Sequence, residues 1–241
     1  MFDRPGGEAL QRARSALRLA ELRTGVRSQV EASVRTPPPS SRLVDVLPGR
    51  AVPRGAVTVV TGSAGLLTWI VGETQHDEWV AVVGWPDLGA VWMQDAGIDL
   101  QRTLLVPEVQ GRGAEIVAAL LDGFEQVVVG PRVALNAAGR RQLLARARQR
   151  ESALITPLAW EGASIRMTAA ATWSGPARGD YWLRRARYDV VSANRQDGGR
   201  ERRFVIERVW QGGFAADDGP LVRVQEMVSD MGSRPAFGRA V

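Results

Sequence analysis

The sequence predicts an α/β fold on a mainly parallel sheet, with antiparallel strands added at the C-terminal side. Two observations predict it. Between Ala56 and Pro157, short apolar runs alternate with helical stretches. After Pro157 the pattern changes to longer strands joined by the glycine-rich turns SGPARGD and NRQDGGRE.

The chain opens on GEALQRARSALRLAELRTG. Leu10, Ala13, Leu17 and Ala20 recur there at helical spacing, while Arg12, Arg14 and Arg18 fall mostly off that stripe. An amphipathic helix closed by Gly25 is expected. TPPPSS at 36–41 then favours extended backbone. The expected organisation is an N-terminal helix and the start of a linker at 1–35, a proline-rich linker at 36–42, a core at 43–210 and a flexible tail at 211–241.

Within the core the strands are AVTVV (56–60), WVAVV (79–83), TLLVP (103–107), QVVVG (126–130) and ALITP (153–157). Each is short, rich in β-branched residues and almost continuously apolar, as a parallel strand buried on both faces should be. GLLTWIVGE, LGAVWMQDAG, RGAEIVAALLDGF and AAGRRQLLARARQRE supply the intervening helices. SIRMTAAATW, DYWLRRARYDVVSA and RRFVIERVW then extend the sheet with antiparallel strands. VRVQEMV (222–228) is the one apolar segment of the expected tail.

Composition excludes several chemistries. There is no cysteine, hence no disulfide or thiolate metal site, and a single histidine, His76. Every one of the 31 basic residues is arginine, so no lysine can serve as a phosphate-binding cation or form a Schiff base. The net charge is +5, which favours polyanionic partners. The first residues, MFDRPGGEALQRARS, contain no apolar stretch, so no secretory signal is expected. Residues 55–72 carry no charge but are broken by glycine, serine and threonine, which suits strand, loop and helix better than a membrane span. A cytoplasmic protein, associated with the nucleoid when recruited, is expected.

VTVVTGSAGLLTWIVGE (57–73) has the shape of a phosphate-binding loop, a strand, a glycine-bearing turn and a helix start. In the frame G-x-x-x-x-G-K-[ST], Thr61 takes the place of the first glycine, Leu66 the second and Leu67 the lysine. Thr68 alone survives, with Gly62 and Gly65 able to form the turn. TGSAG also sets Ser63 at a strand-to-helix turn, but a nucleophile elbow needs glycine at Thr61, and His76 follows too soon for a catalytic triad.

The surroundings of this loop resemble the RecA/RadA ATPase core. RLVDVLPGRAVPRG places Leu43, Leu47, Gly49, Val52, Pro53 and Gly55 where that family enters its first strand. VGWPDLGAVWMQDAGIDLQRTLLVPE is similar to its second strand, helix and Gly-x-Asp turn, with Gly97, Ile98 and Asp99 at the turn, and FEQVVVGPRVAL to its Walker B strand. The resemblance runs from Leu43 to Trp173 and implies a RecA-like core. The water-activating glutamate would fall at Trp85 and the Walker B aspartate at Gly130. With Leu67, the lysine, the base and the metal-binding acid are all missing, so no cofactor, no metal and no catalytic residue are expected.

RecA-like proteins of this size without those groups resemble the ImuA family, and here its actinobacterial ImuA-prime type. That resemblance implies a non-enzymatic accessory protein of damage-induced translesion mutagenesis (SOS response). Its partner would be an ImuB-type, Y-family-like protein, and through it an error-prone C-family polymerase and the sliding clamp. SulA-like division inhibitors that bind FtsZ are the alternative, as is direct binding of single-stranded DNA or of RecA. The expected contact residues are Tyr181, Trp182, Arg184, Arg185, Arg187 and Tyr188 in YWLRRARYD, where aromatics alternate with arginines, and Trp210, Leu221, Val222, Val224 and Met227 in the tail.

Overall fold

The computed structural model describes residues 43–175, 185–209 and 221–227. The chain divides into two units at Thr36, and everything described lies in the second, Pro37–Val241. The expected N-terminal helix therefore lies outside the described residues, as do Tyr181, Trp182, Arg184 and Trp210.

The five expected parallel strands are β1 (Val57–Thr61), β2 (Val80–Val83), β3 (Thr103–Val106), β4 (Gln126–Val129) and β5 (Ala153–Thr156). Between them run α1 (Ala64–Gln75), α2 (Ala90–Asp95), α3 (Gly113–Leu120) and α4 (Ala137–Arg150). Four more strands follow, β6 (Ile165–Ser174), β7 (Arg185–Asn194), β8 (Glu201–Val209) and β9 (Leu221–Met227). They form one sheet in the order β3-β2-β4-β5-β1-β6-β7-β8-β9.

Two details depart from the sequence-based expectation. β6 runs parallel to β1, and antiparallel pairing begins only between β6 and β7. The tail also contributes structure, because Leu221–Met227 pairs along β8 as the ninth strand. Its pairing is fixed in part by the bidentate ion pair from Arg202 to Glu226, at 2.7 and 2.8 Å.

Burial explains the two strand patterns. One face of the parallel sheet carries Val60, Val80, Val82, Val128 and Ile155 against Leu66, Leu67 and Ile70 of α1, Met93 of α2 and the short turn Leu43–Val46. The opposite face packs Val57, Val59, Ala81, Val83 and Val127 on Val117 of α3 and on Leu143 and Ala147 of α4. With both faces covered, β2, β4 and β5 are buried at every position. β7 alternates instead: Ala186, Tyr188 and Val190 are buried while Arg185, Arg187 and Asp189 are exposed. Among the described residues no helix covers that outer face of β6–β9.

The Arg202–Glu226 pair gives the β8–β9 junction a pH dependence. The hydrogen bond from Arg202 holds the Glu226 carboxyl below its ordinary value of 4.5. A depressed carboxylate contributes stability above its unfolded pKa, and that contribution is lost as pH falls through the folded value. Both side chains are partly solvated, so the pair is worth at most about 1 kcal/mol. Glu226→Gln is expected to speed amide exchange of β9 at pH 7, and the difference is expected to shrink as pH falls below 4.5. Equal exchange of the two proteins at pH 7 would show that the pair does not hold the strand.

Candidate functional site

The loop after β1 is the place where the sequence expects a phosphate site. Ser63 caps α1, its Oγ accepting from the Leu66 N–H at 3.2 Å. Gly62 takes φ +82°, and a Cβ there would stand 2.2 Å from the Ala169 carbonyl oxygen of β6. The turn therefore needs glycine for its backbone angle and for its approach to β6. Thr61 is fastened to β6 as well, its Oγ1 donating to Met167 O at 3.2 Å and lying 3.1 Å from Thr168 Oγ1.

The three positions that would carry the chemistry are occupied by packing. Leu67 is fully buried in the cluster beneath α1. Its side chain thus faces the core and not the loop. Gly130 follows β4 so closely against β2 that a Cβ would stand 2.5 Å from the Gly84 carbonyl oxygen and 2.8 Å from Trp85 Cβ. Backbone bonds fix that approach, from Gly130 N–H to Val83 O at 2.7 Å and from Arg132 N–H to Gly84 O at 3.0 Å. Trp85 itself is half-buried and packs against the first core cluster. Asp87, the nearby carboxylate, is exposed and faces Arg132 at 4.0 Å.

The mouth of the loop is covered by aromatic side chains that the sequence reasoning did not single out. Trp92 of α2 donates its Nε1–H to Thr68 Oγ1 at 3.2 Å. Its ring reaches over Gly65, where a Cβ would lie 3.2 Å from Trp92 Cζ2 and 3.2 Å from the Tyr188 hydroxyl. Trp92 also pairs with Trp173 of β6, ring centroids 6.1 Å apart. Thr68, the single surviving motif residue, donates in turn to the backbone of α1, to Ala64 O at 3.0 Å. Its hydroxyl is thereby used within the protein.

Behind this cover, Tyr188 packs on Trp69 at 6.0 Å, and the Arg208 guanidinium lies 5.0 Å over the Trp69 ring. Arg208 reaches Asp95 at the end of α2, bonding to its carboxylate at 3.4 Å and to its backbone oxygen. Burial pushes the Tyr188 hydroxyl pKa up and the Arg208 pKa down, while Asp95 opposes the second shift. The antiparallel strands are thus clamped onto α1 and α2 through buried polar groups.

Of the expected contact residues, Arg185 and Arg187 lie together on the outer face of β7. Tyr188 points the other way and is buried, so it is not available for stacking beside them. Arg187 is engaged by Asp189 at 3.2 Å and Glu207 at 3.7 Å. In β9, Val224 is buried, Val222 packs against the core and Met227 is exposed. Leu221 registers with Val209. Ser63 and His76 sit at opposite ends of α1, which is about 18 Å long at 1.5 Å per residue, so they cannot act together. Among the described residues no cluster of three or more His, Asp or Glu side chains could hold a metal ion. No helix among them is long and apolar enough to cross a membrane.

Residues 45–162 match the family model of the MT3502 N-terminal domain. That stretch holds β1–β5 and α1–α4, including the loop, its tryptophan cover from α2 and the Gly130 turn. The protein named Rv3395c, from Mycobacterium tuberculosis (strain ATCC 25618 / H37Rv), is 36% identical over 136 residues. The match covers 54% of this chain and 66% of that relative, just under two thirds of its length.

Proposed function

We propose that the protein is a non-enzymatic, RecA-like adaptor of the ImuA-prime type, serving damage-induced translesion synthesis. Its role is recruitment: it holds an ImuB-type partner and, through it, an error-prone polymerase and the sliding clamp. One observation carries the non-enzymatic part. The three places where a RecA-like ATPase keeps lysine, glutamate and aspartate are taken here by a core leucine, a half-buried tryptophan and a glycine pressed on backbone. A site that had lost a single group through drift would keep an open pocket, whereas here Trp92, paired with Trp173, lies over the loop at Gly65. The match to a mycobacterial protein supports the actinobacterial type.

Single-stranded DNA binding is less favoured. Base stacking needs exposed aromatics among the arginines, and Tyr188, the one aromatic of YWLRRARYD among the described residues, has its ring on the far side of β7 from Arg185 and Arg187.

The test is a titration of the full chain with a purified ImuB-type protein, alongside calorimetry with ATP and magnesium. Binding of the protein partner and no heat with ATP are expected. Shortening should stop after Met227, because removing β9 would strip the sheet of its last strand. Failure to bind the ImuB-type protein would end the adaptor assignment, and a saturable ATP heat would end the non-enzymatic one.

A further inference from the structure

We propose that the edge of β3 away from β2 receives an extended segment of a protein partner, apolar on both of its faces and without acidic residues. Among the described residues β3 is the terminal strand of the sheet, paired only with β2. The Gly84 N–H donates to Val106 O at 2.8 Å, so Val106 directs its backbone groups toward β2. Direction alternates along a strand. Leu105 therefore turns its N–H and C=O outward, where an added strand would bond them.

The side chains at this edge are apolar on both faces and incompletely covered. Leu104 registers with Ala81, on the α3 side, and Leu105 with Val82, on the α1 side. They are 40% and 42% exposed. Trp79, 48% exposed, stands two residues before Ala81 and so is the diagonal neighbour of Leu104 on the same face. It is held ready, its ring edge-on to Phe124 at 6.4 Å and its backbone N–H donating to Glu125 Oε2 at 2.9 Å. An acidic side chain laid against these residues would lose water and meet the Glu125 carboxylate, a like charge. That sets the chemistry of the incoming strand.

Natural sheets protect exposed edges with charge, bulges or covering elements. The opposite edge does so, with Arg223, Gln225 and Glu226 in β9. TLLV carries no charge, and its one protection is brevity, four residues. Brevity also decides the occupant. Pairing of two copies through four residues each would bury about a few hundred Å² per partner, short of the roughly 800 Å² typical of stable complexes. A peptide segment anchored on Leu104, Leu105 and Trp79 needs no such area. The inference holds whatever the partner's identity, so it stands apart from the adaptor assignment.

The test uses the full chain and a fluorescent peptide with Val-Ile-Val-Ile at its centre and Ser-Asn flanks, read by anisotropy. A second peptide carries Glu at the two middle positions. The apolar probe is expected to bind at least tenfold tighter than the acidic one. Leu105→Pro should weaken it at least tenfold while keeping the thermal midpoint, because the lost N–H faces away from β2. A double variant, Leu104→Arg with Leu105→Arg, repeats the test should proline disturb the strand. Val91→Arg, which alters the 67% exposed Val91 on α2, should bind as the unaltered chain does. Absent binding, equal binding of both peptides, or binding indifferent to the edge variants would overturn the proposal. So would a dimer in light scattering that Leu105→Pro dissociates, which would assign the edge to a second copy.

Discussion

Leu67→Lys is expected to lower stability by about 3–5 kcal/mol, or to prevent folding, and not to create a phosphate site. In the linear frame this change restores the missing lysine. In the fold it places an amine where Leu67 is fully buried among Leu43, Ile70 and other apolar side chains. A cation there has no partner, so the group sheds its proton instead. Buried amines of this kind can fall to a pKa of about 5–6 from about 10.4. The sign of the pH effect follows. The unfolded chain holds the proton and the folded chain does not, so stability rises with pH between roughly pH 6 and pH 10. The unaltered protein has no such term from this position. Chemical denaturation of both proteins at pH 7 and pH 9 measures the difference, and calorimetry with ATP is expected to stay flat for both. A variant of undiminished stability that binds ATP would mean that Leu67 faces the loop and that the fold retains a nucleotide pocket.

β1–β5 were legible in the sequence for a specific reason. β1, β2, β4 and β5 are covered on both faces, so nearly every residue must be apolar, and β3 at the edge stands out because TLLV is apolar at three of its four positions. β9 was not legible, because one face is solvated and Arg223, Gln225 and Glu226 break the apolar run. Its place is set by β8, a partner that local sequence does not identify. The same limit applies to YWLRRARYD. Alternation alone places Arg185 and Arg187 on one face and Tyr188 on the other. Only the packing of Trp69 and Arg208 shows that the tyrosine side is the interior. In the candidate site, the missing lysine, base and acid could be read from the frame. The cover could not, because Trp92 meets Thr68 from a separate helix 24 positions along the chain. The signal that could have found it is a tryptophan in a short helix flanked by glycines, GAVWMQDAG, whose indole N–H calls for a hydrogen-bond partner.

Gly130→Asp, the change that would return the Walker B acid, is expected to destabilise the protein by about 3 kcal/mol. A glycine after a strand reads in sequence as a turn residue. In the fold its reason is the neighbouring strand. Gly84, at φ +67°, directly follows β2, and its carbonyl oxygen lies 2.5 Å from where a Cβ on Gly130 would stand. That atom is backbone and is held by the Arg132 N–H at 3.0 Å, so it cannot rotate aside as a flexible side chain would. The clash belongs to the Cβ, not to the carboxylate. Gly130→Ala and Gly130→Asp should therefore lose nearly the same stability, compared by denaturant midpoints at constant slope. If Ala is tolerated and Asp is not, the penalty comes from burying a charge, and steric closure of the site is wrong. If both are tolerated, β2 and β4 have room between their ends for a metal-binding acid. The loss of aspartate would then be a matter of sequence drift and not of a fold whose packing excludes it.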